Sequence, residues 1–428
     1  MRTLSVLGVL FCAASVASAS GGLQAGSAVI DITPPTGHPM WGYGDRKDAA
    51  CVGVRDPLKA RALVLEIGAD RLAIVSLDLG RAPTREMTAV IRERVKKDSG
   101  VKQIFLAASH THHGPVLEVP DAPTKEASYG HTLEDKLSRV IAEAAKNLRP
   151  ARLGAGVTQV ALNRNRHSKM PEPIVDRELR VLRVEGTDGK PIALAVNFAA
   201  HATMTKSSIL EFSADWPGAM AALVEKETGA PCLFLQGAAG DMSTKSPAGV
   251  SGPIAYGQEV AKAALELAKT VNCDSSEKMS YSAAEDDFAF RIRIDLTNPI
   301  IFMAMANAFF PDLITFYQRE YREGVRPHLS TALIDRKIGI VGVSGEFFCG
   351  HSLELKRRAR LEHLFFVGYC NDYQQYFPTI EAASEGGYGT DPPVSPAEIG
   401  AGERVMDRAL EQLYRMRGKL TPPFPVRP

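Results

Sequence analysis

An excess of either charge is missing from this chain: 50 lysines and arginines stand against 49 aspartates and glutamates in 428 residues. Without a basic surplus there is no electrostatic footprint for nucleic acid, and no nucleic-acid partner is expected. Long apolar runs are missing too. Leu4–Val16 and Pro299–Phe310 both fall short of the ~20 residues that a membrane-spanning helix needs. Internal repeats and low-complexity tracts are absent, so the chain is read as globular rather than as an array. Cysteine is scarce. Cys12 lies in the N-terminal segment, and Cys51, Cys232, Cys273, Cys349 and Cys370 follow it, an odd number that excludes a dense disulfide scaffold while leaving one or two bridges open.

The N-terminus has a different character. Met1-Arg2-Thr3 carries one positive side chain, Leu4–Val16 is apolar, and Ala17-Ser18-Ala19 ends the segment. A basic start, a short apolar core and an Ala-x-Ala end make a secretory signal peptide, expected to be cut after Ala19, with export to the periplasm or the outside. Phe11 before Cys12 does not fit a lipoprotein box. The remaining chain divides into one domain over residues 20–420 and a Pro-rich tail over 421–428.

Apolar runs at Ala28–Ile32, Arg61–Ile67, Leu72–Leu77, Ile104–Ala107, Leu153–Val160, Leu179–Val184, Ile192–Val196, Leu233–Leu235 and Ile338–Val343 read as strands. Between them, helical periodicity covers Arg85–Lys97, Leu133–Leu148, Gly218–Thr228, Gly257–Thr270 and Pro396–Leu413. The alternation predicts an α/β fold, a mixed central sheet with helices on both faces. Pro299–Phe310 is apolar all round and reads as a core helix; the alternative makes it the wall of an acyl pocket lined by Phe302, Met303, Met305, Phe309 and Phe310.

Four segments place a metal ligand or a nucleophile just beyond a strand: Ser109–Pro115 with His110 and His112, Asn197–His201, Gly240–Ser243, and Ser344–Glu346. Ligands and chemistry collect at the carboxyl ends of strands in open α/β sheets, so a metal site is expected there. Two histidines and a glutamate suit zinc, which takes nitrogen and oxygen ligands and, in catalytic sites, keeps one position open. Gly237–Ser243 is a small-residue loop that either exposes Ser243 as a nucleophile or uses Asp241 or Ser243 to cap a helix.

Taken together, Asp31–Gly37, Gly42-Tyr43-Gly44, Asp56–Ala62, Ser109–His112, Asn163-Arg164, His201-Ala202-Thr203, Gly240–Ser243, Gly345-Glu346-Phe347 and Asn371–Tyr376 resemble the catalytic domain of the neutral/alkaline non-lysosomal ceramidases. The resemblance covers most of the chain beyond the leader, without the C-terminal β-sandwich domain of that family. It implies hydrolysis of the ceramide amide to sphingosine and a fatty acid, using one zinc ion. By motif, the zinc ligands would be His110, His201, Glu346 and Tyr376, the nucleophile Ser243, and the supporting groups Arg164, Tyr388, His112 and Asp215.

Zinc would polarise the carbonyl and lower the pKa of bound water to ~7. Either Ser243 attacks, with Tyr388 and Arg164 stabilising the oxyanion, or water attacks directly and Ser243 positions it. The stretch after the nucleophile reads Gly-Asp-Met-Ser-Thr-Lys where the family has Gly-Asp-Val-Ser-Pro-Asn, and His113 replaces a serine. Two alternatives therefore stand beside ceramide: a zinc hydrolase of another N-acyl amide or ester, and a secreted metal-containing binding protein without turnover. A lipid substrate would bring the protein against a membrane surface.

Overall fold

The computed structural model describes residues 19–274, 278–306 and 309–420. The expected leader up to Ser18 and the Pro-rich tail lie outside the described residues. Thirteen strands of the described residues build two sheets: β1 Ala19–Gly21, β2 Leu23–Asp31, β3 Lys59–Ile67, β4 Asp70–Leu77, β5 Val101–Ala108, β6 Arg149–Gln159, β7 Glu178–Gly186, β8 Pro191–Phe198, β9 Cys232–Gln236, β10 Met279–Asp287, β11 His328–Ile334, β12 Ile338–Val343 and β13 His363–Val367. The larger sheet runs β9-β8-β7-β6-β2-β3-β4-β5, and the smaller runs β1-β10-β11-β12-β13. Both are mixed: β4–β5, β8–β9 and β12–β13 are parallel pairs, and the other pairings are antiparallel.

The mixed α/β class expected from the alternation holds, with the sheet doubled. Leu63, Phe105 and Leu182 of one sheet meet Ala332, Ile340 and Phe365 of the other in a single buried cluster. Helices cover the outer faces. They are α1 Arg85–Ser99, α2 Tyr129–Lys146, α3 Asp215–Thr228, α4 Gly252–Thr270, α5 Pro299–Met305, α6 Pro311–Glu320, α7 Cys349–Ala359, α8 Ile380–Glu385 and α9 Ala401–Met416. α1 and α2 cover β2–β5, α3 and α4 cover β7–β9, and α6, α7 and α9 cover the smaller sheet. With a sheet on one side and helices on the other, β3 and β5 are buried along nearly their whole length rather than alternating.

Local signals set the helix ends. Thr84 caps α1 by accepting from Met87 N, Lys96 and Lys97 fill its last turn, and Gly100 closes it at φ +68. Ser128 caps α2, which therefore begins four residues ahead of the Leu133 expected from periodicity. α9 starts at Ala401, after Gly400 at φ +86, so Pro396–Gly400 is loop.

Pro299–Phe310 is not a core helix. α5 ends at Met305, with Ile300 77% and Met303 72% exposed. Pro311, which lacks an N–H to continue the ladder, opens α6 instead. All five cysteines of the described residues are free. Among those residues, no helix is long and apolar enough to cross a membrane.

Candidate metal centre

Three β-α-β units with parallel strands bring strand ends to one point, the second strand of one unit and the first strands of the other two. His110 follows β5, His201 follows β8 and Glu346 follows β12, while Gly240–Ser243 follows β9. His110 takes φ +63, a left-handed conformation that strains a non-glycine residue. Its backbone N–H bonds Leu79 O at 3.0 Å. Glu346 and Tyr376 are neighbours in a two-residue parallel ladder, which places both beside the histidines.

The polar atoms converge. His110 Nε2 lies 3.2 Å from His201 Nε2 and 3.3 Å from His112 Nε2. Glu346 Oε2 lies 3.4 Å from His110 Nε2 and 3.1 Å from His201 Nε2. A tetrahedral zinc with bonds of about 2.0–2.1 Å spaces its ligand atoms about 3.3 Å apart, so these separations fit.

The tautomers agree. His110 Nδ1 faces Gly80 O at 2.8 Å and His201 Nδ1 faces Met242 O at 3.1 Å. A carbonyl only accepts, so each Nδ1 carries the proton and each Nε2 presents a lone pair. Two such lone pairs and a carboxylate directed at one place repel one another; Arg166 Nη2, 2.9 Å from His201 Nε2, relieves part of this, and a bound cation would relieve the rest. The donor set fits zinc.

His112 differs from the other two imidazoles. Its Nδ1 is buried without a hydrogen-bond partner, so no carbonyl fixes its tautomer, while its Nε2 lies close enough to those of His110 and His201 for the three to hold one ion. The ring is caged by Trp41 and Tyr43 in edge contacts at 5.5 and 4.7 Å. Gly42 completes the cage at φ +109, where a Cβ would meet His112 Cγ at 2.5 Å.

Burial shapes the charges. It pushes His201 down to about 3, assisted by Arg166, and lowers His112 far below the ordinary imidazole value, so both rings are neutral. Burial alone would raise the Glu346 carboxyl, but His110 and His201 outweigh it and hold the group well below the usual carboxylate range. Tyr369 OH donates to Glu346 Oε2 at 3.3 Å, and Tyr373 OH donates to Oε1. Burial, then the Glu346 charge, raises the Tyr376 phenol.

Of the residues expected from sequence, the structure brings together His110, His112, His201, Glu346 and Tyr376. Tyr388 is 65% exposed and sets its ring against Tyr376 at 5.6 Å. The arginine that reaches the cluster is Arg166, not Arg164. Arg166 Nη2 lies 2.9 Å from His201 Nε2 and 3.0 Å from both Gly240 O and Tyr376 OH. In the short strand Asn163–Asn165, alternation turns Asn163 inward and Arg164 out to solvent. The strand ends at Asn165, which frees Arg166 from that alternation.

Ser243 pairs with Arg164 across this ladder and sits next to Met242, the carbonyl partner of His201. Its hydroxyl makes no hydrogen bond to the cluster among the described residues. Asp215 is bound elsewhere, its carboxylate accepting from Met204, Thr205 and Trp216 N–H groups. Asp241 does cap a helix, though a remote one: its Oδ1 accepts from Cys349 N of α7 at 2.7 Å.

A narrow pocket of about 80 Å³ opens over His112, Glu346, Tyr376 and Tyr388, walled by Val116, Phe309, Phe310 and Leu313. Phe309 and Phe310 thus line the site as the acyl-pocket alternative expected, whereas Phe302, Met303 and Met305 do not. Two larger clefts of about 620 Å³ each, one beside Glu118 and Glu134 and one between α3 and α4, contain none of the clustered groups.

A model of the neutral/alkaline non-lysosomal ceramidase family, N-terminal, matches residues 23–274. The neutral ceramidase of Pseudomonas aeruginosa has a similar fold, with a TM-score of 0.77 and 19% identity over 94% of this chain and 75% of that one. A ceramidase complexed with C2 is similar at a TM-score of 0.75 and 19% identity, over 94% and 76%. No curated protein matches.

Proposed function

Because the chain belongs to the neutral/alkaline non-lysosomal ceramidase family, we propose that it is a zinc-dependent amide hydrolase that cleaves the N-acyl bond of ceramide or a related lipid. One observation carries the zinc reading: the Nε2 atoms of His110 and His201 and the Glu346 carboxylate face one point at 3.1–3.4 Å from one another. His110, His201, Glu346 and Tyr376 would hold the ion. When bound, it supplies a Lewis acid for the amide carbonyl and makes water more acidic.

The chain's own residues do the rest. Tyr369 and Tyr373 hold the Glu346 carboxylate in place through their hydroxyls. Arg166 holds the Tyr376 hydroxyl and adds positive charge where the carbonyl oxygen becomes negative. Tyr388, at the mouth of the pocket, offers a further donor to that oxygen. His112 Nε2 takes the proton of the attacking group and returns it to the departing amine. Ser243 is the nucleophile in one route and shapes the loop under His201 in the other. The serine route predicts that Ser243→Ala abolishes turnover while zinc stays bound; retained activity would leave water as the attacking group.

A second reading has its own support. The pocket of about 80 Å³ is small beside the ~300–1,000 Å³ typical of ligand sites, which favours a short N-acyl amide over a long-chain ceramide. Export after cleavage at Ala19 belongs to the same proposal and suits an enzyme that meets lipid from outside the cell. The deciding experiment is fatty-acid release from short- and long-chain N-acyl-sphingosines by the purified protein, with and without chelator. Chelator-sensitive release is expected. Release that survives complete removal of zinc would overturn the metal reading, and no release from either chain length would overturn ceramide as substrate.

A further inference from the structure

The segment from Tyr369 to Tyr376 crosses beneath the pocket in an irregular path, with Tyr369, Asn371 and Gln375 all at positive φ. Most of its polar side chains are accounted for. Asn371 bonds Leu106 N, Ile104 O and Ser330 Oγ. Gln374 bonds Arg326 N, Glu320 and Asp372. Tyr369 and Tyr373 bond Glu346.

Gln375 is the exception. It lines the pocket beside His112, Glu346 and Tyr376. It is only 5% exposed, yet its Oε1 is buried with no hydrogen-bond partner. Its backbone sits at φ +61, a position that glycine takes freely and other residues under strain. The strain is imposed from below: Glu346 N donates to Gln375 O at 2.8 Å, and a Cβ on Gly345 would come within 2.7 Å of that oxygen. An unmet polar group and an unfavourable backbone thus coincide at one residue in the pocket wall. Among the described residues nothing hydrogen-bonds that oxygen, so a donor from outside the chain would satisfy it.

The pocket indicates which part of a ligand this is. Val116, Phe309, Phe310 and Leu313 form an apolar wall suited to hydrocarbon, and a carboxamide pressed against an alkyl chain would stay unsatisfied. We propose that Gln375 determines specificity, its carboxamide holding a hydroxyl or amide N–H on the amine portion of the substrate next to the scissile bond. The preferred substrates are then N-acyl amides of polar-headed amines rather than plain fatty alkylamides. This inference rests on the amide-hydrolase reading.

The test uses the full-length zinc-loaded protein with N-octanoyl ethanolamine and N-octanoyl propylamine, which differ by one hydroxyl in place of a methyl. Wild type is expected to favour the hydroxylated amide by about tenfold or more in kcat/KM, mainly through KM. Gln375→Leu and Gln375→Gly should bring that ratio close to one. Gln375→Gly should keep the urea midpoint at or above the wild-type value, since glycine is unstrained at φ +61. A wild-type ratio near one, or a Gln375→Leu variant that slows both amides equally, would overturn the proposal. If wild type cleaves neither amide, the N-acyl-sphingosine assay decides the amide-hydrolase reading separately, and calorimetric binding of the same pair still decides the role of Gln375. A hydroxyl-dependent gain in affinity that Gln375→Leu removes supports it, whereas equal wild-type affinities for both amides, or no binding of either, refute it.

Discussion

Arg166 touches His201 Nε2, Gly240 O and the Tyr376 hydroxyl with a single nitrogen, whereas Arg164 points to solvent from the preceding strand. The two therefore answer mutation differently. Arg166→Met should lower kcat/KM or zinc affinity by about 10–100-fold, as loss of a group that orients a metal ligand does. Arg164→Met should leave both unchanged. Paired kinetics and zinc titration on the two variants check this, and the reverse ranking would defeat the assignment. Nothing in Asn163-Arg164-Asn165-Arg166 distinguishes the arginines, because the distinction arises where the strand stops. The histidines were legible because each ends an apolar run, where a polar ring is costly without a purpose. Tyr369 and Tyr373 carried no such signal: their role is set by a carboxylate more than twenty residues away in the chain.

At the scale of elements, α7 begins without a cap from its own sequence. Its N-cap residue, Phe348, has no side-chain oxygen, and Asp241 supplies one from the loop after β9. The same carboxylate accepts from Asn165 Nδ2 at 2.8 Å, so one side chain ties α7, the Asn163–Asn165 strand and the loop carrying Ser243. Asp241→Ala should cost about 1–3 kcal/mol, the usual penalty for orphaning buried donors. A urea titration showing no loss would mean that other groups satisfy them.

Helix and strand periodicity made β3–β9 and α1–α4 readable before the structure. The Met279–Asp287 and His328–Ile334 strands were not, because Glu285, Asp287, His328 and Ser330 give their outer ends a polar surface. That the two sheets face each other was equally hidden, since an apolar run does not declare what covers it.

Across the whole molecule, those polar strand ends link the smaller sheet to α1, which packs on the larger one. Arg92 Nη1 reaches Glu285 at 2.6 Å, and His328 Nδ1 reaches Asp287 at 3.0 Å. Burial would raise the Glu285 carboxyl, but His328 and Arg92 outweigh it and bring it down to about 2. Asp287 falls to about 2 through its bond to His328. For His328, burial works against protonation, yet the bonds to Asp287 and Glu285 raise it above the ordinary imidazole value.

The carboxylates have folded values below their unfolded ones. Their stabilisation is full above about pH 4.5 and is lost as pH falls towards 2. His328 has the opposite sign: its contribution is full below about pH 6.5 and fades as pH rises through the raised folded value. The cluster should therefore stabilise most between about pH 4.5 and 6.5. His328→Ala should lose more stability at pH 5.5 than at pH 9, as read from urea midpoints, and equal losses at both would count against the linkage.

The proposed ligand set draws on both layers. His110 and His201 leave the rim of the larger sheet, while Glu346 leaves that of the smaller and is paired there with Tyr376. An ion bound by all four is a fastening across the sandwich, so its chemical potential becomes a variable of folding. Free zinc at a hundred times its dissociation constant would add about 2.7 kcal/mol to the native state. The protein's resistance to unfolding would then follow the free zinc around it.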